Sequence, residues 1–127
     1  MRPMGGDGAA TPVPDQGRAA TQALVTVESR PDPALISVTG EIDLANAEIT
    51  EQQILQGIDD ELSTVTLDLT GLRYIDSAGL WILFRLGTAL TTAGIAGEVV
   101  VPADGPIRRM VDTAGVAAVL PVRAPRP

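Results

Sequence analysis

A mixed α/β domain is predicted, with a mostly parallel sheet of about five strands and three main helices. Three features of this 127-residue chain predict it. Short β-branched runs alternate with longer stretches of helical periodicity. Two neighbouring runs at the start read as a hairpin. After the hairpin the order is helix, strand, helix, strand, helix, strand, which favours parallel strands joined by crossovers.

Residues 1–22 are rich in Gly, Pro, Ala, Asp and Gln and offer too little apolar surface to offset ordering. They read as a disordered tail, as do residues 123–127, so the domain is expected over 23–122. Ala23 to Glu28 is the first strand. Pro31 and Pro33 punctuate a turn, and Ala34 to Thr39 pairs back as the second strand. Gly40 to Asp43 ends that strand. The first helix is expected from Ala45 to Glu61, with Ala47, Ile54, Ile58 and Leu62 at helical spacing and Asp43 placed to cap it. Thr64 to Leu69 is the third strand. The second helix starts near Ser77 and ends near Gly94, a C′ glycine. Glu98 to Val101 is a buried strand. Pro106 opens the third helix, Gly115 closes it, and Val119 to Val122 is a last edge strand. No internal repeat is visible.

Residues 65–80 carry the chemistry. The apolar strand positions Val65, Leu67 and Leu69 run into a turn that delivers Asp76-Ser77, and a long apolar helix follows at once. A hydroxyl at a helix N-terminus faces free N–H groups and the positive end of the helix dipole. Ser77 there can cap the helix, act as a nucleophile or carry a phosphate.

Composition narrows the choice. The chain has no Cys, hence no disulfide, zinc–thiolate site or thiol chemistry. It has no His, which removes the commonest general base, the commonest metal ligand and any Ser-His-Asp triad. All nine basic residues are Arg, so neither a P-loop lysine nor a Schiff base is available. These absences argue against an enzyme, and neither a metal nor a cofactor is expected. The net charge of −7 argues against nucleic acid and against an anionic membrane surface. No apolar run is long enough to span a bilayer, and the N-terminus lacks the apolar core of a signal peptide. The expectation is a soluble cytoplasmic protein.

The second helix has two faces. With 100° per residue, Gly79, Ile82, Leu83, Leu86, Ala89, Leu90 and Ala93 lie opposite Ser77 and are expected to be buried. Trp81, Phe84, Arg85, Thr88, Thr91 and Thr92 lie around Ser77. The chain's three aromatics, Tyr74, Trp81 and Phe84, fall within eleven residues that bracket Ser77. Aromatics beside an Arg on an exposed face have the composition of a binding hot spot, so Trp81, Phe84, Arg85 and Thr88 are candidate partner-binding residues. The alternative is that Trp81 and Phe84 pack beneath the N-terminal strand or the tail. Asp68 reads as a turn residue, Asp59-Asp60-Glu61 as a solvated helix end, and Arg108-Arg109 as surface charge or a partner contact.

Three segments together, Gly40-Glu41-Ile42-Asp43, Leu67-Asp68-Leu69-Thr70-Gly71 and Ile75-Asp76-Ser77-Ala78-Gly79-Leu80, resemble the STAS domain and, more narrowly, the bacterial anti-sigma factor antagonists. The resemblance runs from about Leu24 to Val122. It implies a switch. The antagonist with a free serine binds an anti-sigma factor that is also a serine kinase, and this frees the sigma factor. Phosphorylation releases the antagonist, and a metal-dependent serine phosphatase resets it. By the same resemblance Ser77 is the phosphorylated serine, Asp76 the Asp before it, Asp43 the Asp closing the Gly-x-x-Asp motif near the serine, and Gly79 the glycine of the phosphorylation loop. Many relatives have a second serine where this chain has Ala78. STAS domains also occur in stress-signalling complexes, transporter tails and lipid-transport systems. A phosphorylation-independent interaction module or scaffold subunit is therefore the alternative.

Overall fold

A computed structural model describes residues 22–28 and 32–126. The expected N-terminal tail, apart from Gln22, lies outside the described residues. The elements are β1 (Ala23–Glu28), β2 (Ala34–Ile42), α1 (Ala47–Gln56), β3 (Thr64–Asp68), β4 (Leu72–Ile75), α2 (Ser77–Ala93), β5 (Ala96–Val100), α3 (Pro106–Ala114), a 3₁₀ turn over Val116–Ala118, and β6 (Val122–Arg123). They build one six-stranded sheet in the order β1-β2-β3-β5-β6, with β4 pairing β2 beyond the end of β3. The β1–β2 pair is antiparallel and the others are parallel, as the alternation of strands and helices predicts.

The alternation within each strand decides which face is covered. Ala34, Ile36 and Val38 of β2, Val65 and Leu67 of β3, and Val99 of β5 are buried. They join Ile54 of α1, Ile82, Leu83, Leu86 and Leu90 of α2, and Ile107 and Val111 of α3 in one core. The opposite face of the sheet presents partly exposed polar side chains. There Glu98 of β5 accepts from Thr66 Oγ1 at 2.9 Å and pairs with Arg123 of β6 through two bonds of 2.9 and 3.0 Å.

Several boundaries differ from expectation. The sheet has six strands because Leu72–Ile75, read as turn, is β4. Its Leu72 and Ile75 are buried while Arg73 and Tyr74 are exposed, a pattern without period-2 alternation. The partner is the end of β2, which runs on to Ile42 instead of stopping at Thr39. A register shift between Gly40 and Glu41 keeps the pairing, with Gly40 at φ +94°. A Cβ on Gly40 would collide with the Gln22 carbonyl, so both the conformation and the close approach require glycine.

The first helix is shorter than its apolar spacing suggests. It ends at Gln56, and Gly57 leads into turns over 58–62 that still bury Leu62. Asp59-Asp60-Glu61 thus lies in a loop. Asp43 does not cap this helix. Asn46 holds the N-cap position, and its side chain makes no cap bond there. On α2, Leu80 and Gly87 are buried whereas Ala89 and Ala93 are exposed, because Gly87 sits against the Val119 backbone and turns that side of the helix inward. Strand β5 begins two residues before the expected Glu98. The final strand is not Val119 to Val122. Val116–Ala118 forms a 3₁₀ turn, and Arg123, assigned from sequence to the tail, belongs to β6. Among the described residues no helix is long and apolar enough to cross a membrane.

Candidate functional site

The site lies where β2 and β4 end side by side. Their parallel register places Ile42 opposite Ile75, so the next residues, Asp43 and Asp76, leave the same edge of the sheet together. Two motifs 33 residues apart in sequence therefore meet at the start of α2.

Asp76, not Ser77, is the N-cap of α2. It has extended backbone (φ −110°, ψ −170°), and its Oδ1 accepts from the N–H groups of Ala78 at 2.9 Å and Gly79 at 3.2 Å. Its Oδ2 accepts the Leu44 N–H at 3.1 Å. Its own N–H donates to the Ile42 carbonyl at 3.2 Å. One carboxylate thus fixes both the helix start and the β2–α1 loop.

Asp43 builds that loop from the other side. Its Oδ1 accepts from the Ala45 N–H at 2.9 Å, and its N–H donates to Asn46 Oδ1 at 3.0 Å. The nearly buried Asn46 amide in turn donates to the Glu41 carbonyl at 2.8 Å. The N–H groups of Asp43, Leu44, Ala45 and Asn46 are thus all bonded, three within the loop and one to Asp76, which keeps its shape fixed.

Ser77 is the first residue of α2 and is exposed. With the cap supplied by Asp76, the Ser77 hydroxyl makes no hydrogen bond to another described residue. Of the roles open to a serine here, capping is taken. Two nearby donors are taken too, because the Ala78 and Gly79 N–H groups already serve Asp76.

Gly79 is buried beneath this turn. A Cβ there would lie 2.5 Å from Ile75 Cγ1 and 3.0 Å from Ile42 Cγ2. The glycine lets α2 approach the ends of β2 and β4, and its role in this structure is packing.

Trp81, one turn after Ser77, is 59% exposed. Its ring meets Phe84 at a centroid distance of 5.9 Å and an interplanar angle of 56°. Phe84 differs from expectation. It is half-buried and packs against the core, so it supports Trp81 more than it presents a surface of its own. Arg85 is committed to α1 by a bidentate pair with Glu51, both bonds 2.8 Å. Hydrogen bonding to Glu51 raises the Arg85 pKa. Thr88 is exposed, and its hydroxyl donates to the Phe84 carbonyl at 3.2 Å.

Leu44 was missed in the sequence. It is 81% exposed, yet its backbone is held by Asp76 beside Ser77. Lying just after Asp43 and before the helical periodicity begins, it belongs to no apolar pattern. A lone leucine in a tight turn that has no core to face is the signal that could have found it. Asp68 acts as expected in a turn, its Oδ1 accepting from the Thr70 N–H and hydroxyl.

The chain is similar in family and fold to known proteins. The family model described as STAS domain matches residues 25–124. A crystal structure of an anti-sigma factor antagonist from Mycobacterium paratuberculosis is similar with a TM-score of 0.67. It is 28% identical over 83% of this chain and 88% of that one. The anti-sigma factor antagonist SpoIIAA in its unphosphorylated form has the same fold, with a TM-score of 0.66 at 16% identity over 81% of this chain and 89% of that one. The murine anion transporter Slc26a9 shares the fold over 78% of this chain and 19% of its own length, at 18% identity and a TM-score of 0.55.

Proposed function

The chain belongs to the STAS domain family, and we propose that it works as an anti-sigma factor antagonist, a binding module switched by phosphate on Ser77. Unmodified, it binds an anti-sigma factor serine kinase in the bacterial cytoplasm and frees the sigma factor. The kinase transfers the γ-phosphoryl group of ATP to Ser77 Oγ. The Oγ–P bond forms, the bond from the γ-phosphorus to the bridging oxygen breaks, ADP leaves, and the hydroxyl proton passes to the kinase. A serine phosphatase hydrolyses the ester and restores the binding form.

The observation that carries this reading is the Ser77 hydroxyl itself: exposed, at a helix N-terminus, and relieved of capping by Asp76. A helix N-terminus tolerates an added charge of roughly −1.5 to −2. The Ala78 and Gly79 N–H groups already serve Asp76, so the phosphate has fewer groups to pair with inside the chain. It therefore acts outward, by repelling and desolvating a docked partner. Losing a few kcal/mol at a central contact lowers affinity by roughly a hundredfold or more. The 28% identity to an antagonist from Mycobacterium paratuberculosis supports the same reading.

The test is intact mass and peptide mapping. Wild type and Ser77→Ala are each incubated with ATP and a lysate of the source cell. A single phosphate on wild type, mapped to Ser77 and missing from the variant, is the expected result. An unmodified Ser77 in a lysate with active kinases would favour a phosphorylation-independent STAS module.

A further inference from the structure

Strand β1 forms one edge of the sheet, and β2 is its only strand neighbour among the described residues. The Glu41 N–H donates to the Gln22 carbonyl at 2.8 Å, which makes Gln22 and Glu41 a hydrogen-bonded pair. Antiparallel pairing alternates, so Leu24, Thr26 and Glu28 also turn their backbone groups towards β2. Ala23, Val25 and Val27 turn theirs outward, where no described residue receives them. We propose that this edge pairs antiparallel with the same edge of a second copy, about a two-fold axis at Val25, and joins two sheets into one.

The two edges of the sheet are built differently. Strand β6 is two residues long and lies between Pro121 and Pro125, a short edge beside residues that cannot donate to a ladder. Strand β1 is six residues long, Ala-Leu-Val-Thr-Val-Glu, with no proline and no break in its register with β2. Such an edge is a template for another strand. It is also held in place. A Cβ on Gly57 would lie 2.8 Å from Val27 Cγ2, so the turn after α1 closes directly on the strand. A strand fixed in advance loses little further freedom on pairing.

The edge is complementary to itself. Outward groups at Ala23, Val25 and Val27 are symmetric about Val25. An antiparallel copy therefore sets Ala23 against Val27 of the other chain and Val25 against its own counterpart, and each pair exchanges both N–H···O bonds. Residues opposite each other share a face of the sheet, so both helical layers lie on one side. A groove between β1 and α1, with a volume of ≈ 380 Å³, is lined by Val25, Val27, Gln53, Gln56, Gly57 and Asp59. In the pair it closes against the same groove of the second copy. The valines supply apolar contact, and the glutamine amides carry donors and acceptors for each other.

Charge fixes the register. Arg73 lines a groove with Gln22, Leu24 and Gly40. Pairing about Val25 puts the exposed Glu28 of the second copy opposite Gln22, beside this guanidinium. Each end of the interface thus joins an Arg73 to a Glu28, in a chain whose net charge of −7 otherwise makes two copies repel. Within the chain Arg73 meets Glu41 only at 3.8 Å and at an exposed site, a weak hold. Slipping by one residue would break up both charge pairs and mismatch the outward groups.

The test uses the full chain. Sedimentation equilibrium is run from low concentration up to about 1 mM, and amide exchange along β1 is followed over the same series. The mass is expected to rise from one chain to two. Exchange at Ala23, Val25 and Val27 should slow in step, while Leu24 and Thr26 are protected at every concentration. Ala23→Pro removes an outward N–H at each end of the interface without touching a bond to β2, and should weaken dimerisation about tenfold or more. Arg73→Glu and Glu28→Arg should each weaken it, and the double variant carrying both should restore it. Thermal melts accompany the variants, and should Ala23→Pro fail to fold, the charge exchange decides. A mass of one chain throughout overturns the proposal. So does protection of the outward amides in the monomer, which would assign the edge to another segment of the chain such as residues 1–21. A dimer whose outward amides exchange freely, or whose double charge variant is no tighter than the single ones, puts the two-fold elsewhere and overturns it as well.

Discussion

The Asp76 carboxylate holds Leu44 by its backbone across 32 residues of sequence, Oδ2 accepting the Leu44 N–H at 3.1 Å, while Oδ1 caps α2. The exposed leucine and the exposed serine are thereby fixed to one support. Replacing Asp76 by Ala should cost about 1–2 kcal/mol of stability, the usual range for a lost N-cap. It should also speed amide hydrogen exchange at Leu44, Ala78 and Gly79. Asp76→Asn, which keeps an acceptor oxygen, should recover most of the stability. Urea denaturation and site-resolved exchange check both, and unchanged exchange at Leu44 would refute the link between loop and helix.

Gly79→Ala separates packing from propensity. Alanine in a helix normally gains roughly 0.5–1 kcal/mol over glycine. Here the new methyl meets Ile75 and Ile42 in the buried turn. Overpacking of this kind costs about 1–3 kcal/mol, so a net loss of stability and a lower melting temperature are expected. A rise in melting temperature would show that α2 shifts freely away from the sheet.

Trp81 and Phe84 should behave oppositely although their rings touch. Trp81 is mostly exposed, so Trp81→Ala should leave the melting temperature nearly unchanged and lower partner affinity by about tenfold or more. Phe84→Ala removes a side chain packed on the core and should destabilise the fold. Leu44→Ala should resemble Trp81→Ala. The single tryptophan reports on this directly: its emission should shift to the blue when the partner covers it. A large loss of stability in Trp81→Ala would assign that ring to the core.

The Glu98–Arg123 pair makes β6 sensitive to acid. Hydrogen bonding to Arg123 holds the Glu98 carboxyl below its ordinary pKa, against an opposing effect of burial, and Thr66 adds to the lowering. A carboxyl with a lower pKa in the folded state stabilises the fold above its unfolded pKa. That contribution is lost as pH falls through the folded value. Wild type should therefore exceed Glu98→Gln in stability near neutral pH, and the gap should shrink below the ordinary carboxylate range. Denaturation midpoints at several pH values test this, and a gap independent of pH would contradict it. Partial exposure of both side chains keeps the effect small.

The sequence by itself determined the α/β class, the order of the principal strands and helices, and the Asp-Ser junction. Period-2 and period-3.6 apolar patterns, together with the Gly and Pro stops, are local signals, and α2 and α3 end at glycines in the left-handed conformation as expected. Strand β4 was not legible, because Leu72–Ile75 becomes a strand only through pairing with the end of β2. The division of labour between Asp76 and Ser77 was equally hidden. Either residue can cap a helix, and the choice rests on backbone angles and on a hydrogen bond to Leu44 in a distant loop. The exposure of Leu44, the inward turn of Phe84 and the engagement of Arg85 by Glu51 depend on which elements become neighbours. A residue's chemistry is written in the chain, but whether its charge is answered or its apolar surface covered is decided by segments far away in sequence, and only the folded structure brings them together.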